Sequence, residues 1–505
     1  MALHSDLLPW YFPSTGLLLV MGVAFTAFVC HTCWVYAQLR HFPGPPLAGW
    51  SRLPLIVWTM SGRAHLKYQE ISETYGPIAR IAPTVLLSSD VEFMRKIAAA
   101  RSKYRRNEWY MAFRFNPDRD TIISHRDDEE HARLKMKLAP GYSGKEIDGL
   151  EAKIDANVKA FVKLIETSYL SGPSDTKPFD LAEKTQFFTL DTIADISFGS
   201  PIGCLANDSD MYGYLKQAAA SFPFFMVLGL FPRIMHILAL DSVKRFLPSA
   251  KDSLGMGRIM RLASETAGKR FPLKDDEGVH RDMLGSFIRH GLTRAEAEAE
   301  SLVQILAGGE TTATTIRMTI FHVSTNPRVL NKLRAEIFRV RPSSPLTDAE
   351  AKNMPYLQAV VKEGLRIFPP ITGLLFKDTP IGGDTYDGKF IPGGTAIGFS
   401  FLAAVMDKKA WGEDSHVFRP ERFLEGSDEE LRNRDAMVEL VFGFGRWRCL
   451  GRNIAVSELT KVISELLRTF DFSVVNPMNP FKTRNAGIHL QSDMWMRAEK
   501  VAQYH

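Results

Sequence analysis

Cysteine is scarce in this chain. Four cysteines in 505 residues cannot staple a body of this size with disulfides, so a reducing compartment is expected. A polybasic block is missing too: 62 Lys and Arg against 57 Asp and Glu leave +5, thinly spread, which argues against a dedicated nucleic-acid binder. Repeats and low-complexity tracts are absent, and 45% hydrophobic with 24% charged residues excludes a disordered chain. Most telling is a local absence, since residues 7–39 contain no Asp, Glu, Lys or Arg.

The densest part of that run, residues 14–36, would span roughly 34 Å as a helix at about 1.5 Å per residue. A cleaved signal peptide needs a basic start, a shorter apolar stretch and a small-residue cleavage site. Here Asp6 is the only charged side chain before the run, so a retained transmembrane anchor is expected. Arg40, Arg52, Arg63 and Lys67 follow it, which places the body in the cytoplasm and the short N-terminus, residues 1–13, in the lumen. Cys30 and Cys33 show a C-x-x-C spacing, but their lipid setting favours packing over redox or metal chemistry. Residues 37–48, with His41-Phe-Pro-Gly-Pro-Pro46, read as a Pro-rich hinge, and residues 49–505 as a single domain.

Helical periodicity dominates that domain, at 65–74, 127–138, 147–169, 179–198, 251–268, 294–324, 326–339, 355–368 and 454–470. Strands are fewer: 78–81 with 84–88 form one expected hairpin around Pro83, and 385–391 with 395–399 another around Pro392-Gly-Gly394. The class is mainly α with small β-sheets. Residues 222–231, apolar on every side, suit either a buried core helix or an element dipping into the membrane.

The sharpest chemical signal is Phe442-Gly-Phe-Gly445-Arg-Trp447-Arg-Cys449-Leu-Gly451, a glycine-punctuated loop ending in a cysteine before an amphipathic helix. A thiolate there gains from helix N-terminal amides and from Arg446, Arg448 and Arg452, and the glycines let the backbone approach a flat cofactor. A lone cysteine is otherwise an inert buried residue. The loop resembles the haem-binding loop of the cytochrome P450 superfamily, in particular membrane-bound fungal biosynthetic members, and further family motifs follow in order along the whole chain.

The resemblance implies the cytochrome P450 fold with a single N-terminal transmembrane helix, haem b as cofactor, and Cys449 as axial ligand of its iron, with Phe442, Gly445, Trp447 and Gly451 in the cofactor loop. Trp447 departs from the family, standing where an arginine normally pairs with a propionate; indole N–H can donate but carries no charge. His131 and Lys135 sit where the family has W-x-x-x-R, and the resemblance assigns them to the propionates. Glu363-Gly-Leu-Arg366 matches the family's E-x-x-R pair, and with Arg422 of Pro420-Glu-Arg-Phe423 it would form a buried structural network. The same spacing at Glu92/Arg95, Glu130/Arg133, Glu336/Arg339, Glu429/Arg432 and Glu465/Arg468 reads as exposed helix ion pairs. Ala307-Gly-Gly-Glu310-Thr311 interrupts a helical pattern with two costly glycines. In the family this is the distal bend, where Glu310 and Thr311 would manage the protons of oxygen activation.

The segment after Cys449 is too short for a reductase domain, so electrons are expected from another protein. The resemblance implies an NADPH-dependent diflavin reductase, docking near Arg446, Arg448 and Arg452, and an endoplasmic reticulum membrane location. Substrate-facing segments are expected at 107–123, around Phe222, before Glu310, at 370–376 and at 485–489. They suit a hydrophobic small molecule, a terpenoid or polyketide-like intermediate of secondary metabolism. Three functions stay open on sequence: a haem-thiolate monooxygenase, which the Glu310-Thr311 pair favours; an isomerase or dehydratase working without dioxygen; and a noncatalytic haem sensor.

Overall fold

The computed structural model describes all residues except 1–13, 115, 117–118, 245, 248, 250, 253–254, 272–279 and 503–505. The expected luminal segment, 1–13, thus lies outside the described residues.

The fold is organised around one helix, Arg294–Ser324, 31 residues long. Thr293 starts it with a capping box, its hydroxyl accepting from Glu296 N while the Glu296 carboxylate accepts from Thr293 N. Helices Leu181–Phe198, Gly255–Gly268, Pro355–Ile367 and Arg452–Thr469 pack against it. Leu181–Phe198 is buried along almost its whole length, its polar side chains included, which is why its sequence shows no single apolar face.

A five-stranded sheet flanks the helices, ordered Ile78–Ala82, Val85–Ser88, Ala396–Phe399, Lys377–Asp378 and Arg105–Arg106. The first pair is the expected hairpin. The second expected hairpin is corrected: Asp384–Tyr386 pairs with Lys389–Ile391, while Ala396–Phe399 joins Val85–Ser88 and Lys377–Asp378. The turn is Asp387-Gly388, both at positive φ (46° and 71°), as a two-residue hairpin loop requires, so Pro392-Gly-Gly394 links two sheets instead.

Helix Ser14–Gln38 stands apart, with Leu17 to Phe28 exposed. Its stretch Gly16–Gln38 is long and apolar enough to cross a membrane. Thr26 and Thr32 return their hydroxyls to Gly22 O and Phe28 O, so these two polar groups are satisfied within the helix. The Pro-rich connection that follows packs against the domain. Leu39, Phe42 and Ala48 are buried, and Pro43 O accepts from Arg80 N at 2.7 Å. Arg80 also donates to Tyr36 O (2.9 Å) and Val35 O (3.2 Å), and Tyr36 stacks on Trp50 at 4.1 Å.

Candidate active site

Glycine shapes the loop ahead of Cys449. Gly443 and Gly445 lie at φ 75° and 63°, and a Cβ on Gly445 would fall 2.1 Å from Ala98 O, so only glycine fits there. Phe442 O accepts from Cys449 N at 2.7 Å, and this closure brings the cysteine to the head of helix Arg452–Thr469, whose N-cap is Gly451. There the Gly451 and Arg452 amides donate to sulfur. Burial pushes the thiol up, while those amides and the Arg448 and Lys135 charges pull it down. The sulfur lies deep in the protein and yet remains accessible. In the middle of the central helix, Ala307 is likewise uncovered and Thr311 only half-buried, although Leu306, Glu310 and Thr312 beside them are buried.

Trp447 gathers cations. The Arg106 guanidinium lies 3.9 Å and the Lys377 ammonium 4.3 Å from its ring centre, and the His131 ring is 4.0 Å away. Arg106 and Lys377 are cross-strand partners in the five-stranded sheet, a placement of like charges that costs stability unless an anion joins them. Lys377 is 3% exposed, and neither its Nζ nor Arg106 Nε has a partner among the described residues. Burial and the adjoining Arg106 hold Lys377 down to about 6, and burial first, then Arg106, holds His131 down to about 2, so His131 is neutral. Lys135 is committed elsewhere, donating to Arg446 O at 2.8 Å. Arg106 and Lys377 were missed in the sequence, where nothing in the local pattern sets them apart; a register between distant segments brings them together. The donor set suits a dianion with two carboxylates, and together with an accessible thiol at a helix N-terminus it fits haem.

The adjacent glycines of the central helix serve packing. A Cβ on Gly308 would meet Ile193 Cγ1 at 2.9 Å, and one on Gly309 would meet Leu190 Cδ2 at 2.9 Å, so these two positions set the close approach of helix Leu181–Phe198. The helix runs unbroken through them. Thr189 donates to Gly309 O (2.6 Å) and Thr311 to Ala307 O (2.8 Å). Glu310 and Thr311, one residue apart and so about 100° apart around the helix, face different surroundings. Glu310 is wholly buried, with Arg317 on one carboxylate oxygen and the Gln186 amide on the other. Burial raises its pKa, with Arg317 opposing. Among the described residues no hydrogen bond joins it to Thr311.

Glu363 and Arg366 form a two-bond ion pair (2.7 and 2.8 Å), both wholly buried, and Arg422 Nε approaches Glu363 at 3.5 Å. Arg366 then donates to Val405 O and Ser415 O, and Arg422 to Trp411 O, tying down the segment that leads to the cysteine loop. Of the other E-x-x-R pairs, Glu336 is corrected: it is buried and accepts from Tyr356 N and Leu357 N, capping helix Pro355–Ile367. Glu465 is buried as well, against Arg468.

Four of the five expected substrate segments meet in one apolar cavity, through Trp109, Met226, Leu374, Phe376 and Ala486; Tyr68 is a wall residue the sequence did not suggest. No residue of the central helix lines it. Residues 222–231 straddle helix Tyr214–Leu228, where Phe222 and Met226 are buried and Phe224 is exposed, and a 114° bend leads into Pro232–Leu238. On the surface near the cysteine, Arg446 pairs with Asp128, and Arg448 and Arg452 with Glu439. Arg446 also reaches Ala100 O and Ser102 O, so the exposed Arg101 and Lys103 flank it.

A family model described as Cytochrome P450 matches residues 43–494. The chain is 38% identical over 478 residues to "Cytochrome P450 monooxygenase ABA1" of Pyricularia oryzae, covering 92% of this chain and 93% of that one. It is 38% identical over 469 residues to "Cytochrome P450 monooxygenase aba1" of Botryotinia fuckeliana, covering 91% of each. With "Cytochrome P450 monooxygenase mpaDE" of Penicillium roqueforti it shares 28% identity over 489 residues, 94% of this chain and 56% of the relative.

Proposed function

The chain belongs to the cytochrome P450 family, and on that premise we propose that it oxidises a hydrophobic terpenoid or polyketide-like intermediate of secondary metabolism, with haem b held by Cys449. It is a haem-thiolate monooxygenase, which takes electrons from a redox partner. The observation that carries the site reading is the deep, accessible Cys449 sulfur with two amides directed at it. When bound, thiolate-ligated haem supplies the dioxygen chemistry.

The chain's own groups divide the remaining work. Arg106 and Lys377, backed by the Trp447 ring, take the propionates, and neutral His131 donates one further N–H. Lys135 acts through the loop backbone. Thr311, half-buried on the uncovered side of the central helix, offers a hydroxyl to passing protons, and Glu310 is the acid that supplies them. Glu363, Arg366 and Arg422 brace the cysteine loop from below.

A single-pass anchor in the endoplasmic reticulum membrane, with residues 49–505 in the cytoplasm, suits the apolar helix and the cations after it. Substrate would reach the cavity between the exposed apolar faces of Leu53–Met60 and Tyr214–Leu228. The redox partner is taken to be an NADPH-dependent diflavin reductase. Since Arg446, Arg448 and Arg452 are paired with acids, Arg101 and Lys103 carry more of the charge such a partner would meet.

The test is the reduced carbon monoxide difference spectrum of the full-length protein and of Cys449→Ser, followed by NADPH consumption with a diflavin reductase. A thiolate Soret band in the parent, lost in the variant, supports the assignment. A folded Cys449→Ser protein with an unchanged band, or product formation without NADPH, overturns it.

A further inference from the structure

Arg317 is one of the largest wholly buried side chains among the described residues, and each nitrogen of its guanidinium donates a hydrogen bond. Nε donates to Gln491 Oε1 (2.6 Å), Nη1 to Ala182 O (3.3 Å), and Nη2 to Thr314 Oγ1 (2.8 Å), His489 O (3.4 Å) and the Glu310 carboxylate. The second Glu310 oxygen accepts from Gln186. Three elements therefore close around one acid: the central helix, helix Leu181–Phe198 and strand His489–Ser492. In such a setting the position of a charge is fixed by its hydrogen bonds, because a loose ion has no water to fall back on.

Resting on the reading that Glu310 handles protons, we infer that Gln186 and Gln491 are positioning residues for that acid. Gln186 holds the carboxylate itself, and Gln491 holds Arg317 in register with it. Neither lines the cavity, so both act through Glu310. Strand His489–Ser492 also continues the turn whose Asn485, Ala486 and Gly487 form a cavity wall. One hairpin thus touches the cavity at its tip and the acid's counter-ion along its length.

The charged and titratable groups facing Glu310 are Arg317 on its own helix and Tyr214 on helix Tyr214–Leu228, with His489 beyond Arg317. Removing one donor to the ionised carboxylate, or loosening its cation, favours the protonated acid. Gln186→Met and Gln491→Met, both close to isosteric, are each expected to raise the Glu310 titration midpoint by about one pH unit. The midpoint is read by infrared difference spectroscopy on the full-length holoenzyme, the Glu310 carboxyl band being the one absent from Glu310→Gln. The two substitutions lie on separate elements, so misfolding of one leaves the other as the test, with haem content and melting temperature as controls. A shift in a folded variant supports the inference, and an unmoved midpoint in a folded variant overturns it. Failure of the underlying reading looks different: Glu310→Gln would then form no more hydrogen peroxide per NADPH than the parent, while the band shifts persist.

Discussion

Glu300 is an acid that the fold holds in its neutral form, and exchanging it for glutamine measures what that costs. It is 2% exposed, its Oε1 accepts from Ile122 N at 2.8 Å, and its Oε2 has no partner among the described residues. Burial pushes its pKa from 4.5 to about 8. The folded protein therefore keeps a proton that the unfolded chain releases, and stability falls as pH rises from about 4.5 to about 8, levelling off above. Linkage between those two values gives a cost of about 1 kcal/mol at pH 5 and about 3 kcal/mol at pH 7. Glutamine keeps the acceptor for Ile122 N and cannot ionise. Glu300→Gln should thus melt within about 1 °C of the parent at pH 5 and about 3 °C above it at pH 7, since a chain of this length loses roughly 1 kcal/mol of stability per degree near its midpoint. Scanning calorimetry of the holoenzyme at the two pH values is the assay. Parallel melting curves, with the same difference at both, would refute a buried neutral acid at this position.

Other outcomes follow from the same geometry. Gly445→Ala must move a Cβ away from Ala98 O at a positive φ, and a loss of about 3 kcal/mol with poor haem retention is expected in calorimetry and absorbance. Lys377→Met removes a buried amine beside Trp447 that has no partner among the described residues; haem transfer to apomyoglobin should quicken about tenfold, and an unchanged rate would remove Lys377 from the propionate site. Thr311→Ala should retain the thiolate Soret band but form several-fold more hydrogen peroxide per NADPH, and tight coupling would contradict its role with protons.

How much of this was readable beforehand differs from element to element. The limits of the central helix were legible at 294–324, because a long three- and four-residue spacing survives any tertiary setting. The cysteine loop was legible because its glycines answer to local backbone geometry. The second hairpin was misread because Pro392-Gly-Gly394 is the louder turn signal, whereas pairing follows Asp387-Gly388. The glycine pair reads as a bend in the sequence, and its part in an interface could not be read there, since the space a Cβ would occupy is defined by Leu190 and Ile193, over a hundred positions away. Arg106 and Lys377 could not be read at all, for their meaning arises only from the strand register that sets them side by side.

Arg80 holds the final carbonyls of the apolar helix while its own backbone belongs to the first strand of the sheet, and Tyr36 is wedged between its guanidinium and Trp50. A Cβ on Gly49 would strike the Tyr36 ring at 2.8 Å, so the joint has no slack on that side either. Mechanically the joint is a clamp. Any tilt this helix adopted in a bilayer would pass to the domain, so the heading of the apolar cavity's mouth would be fixed relative to the helix and would turn with it as membrane thickness changed the tilt.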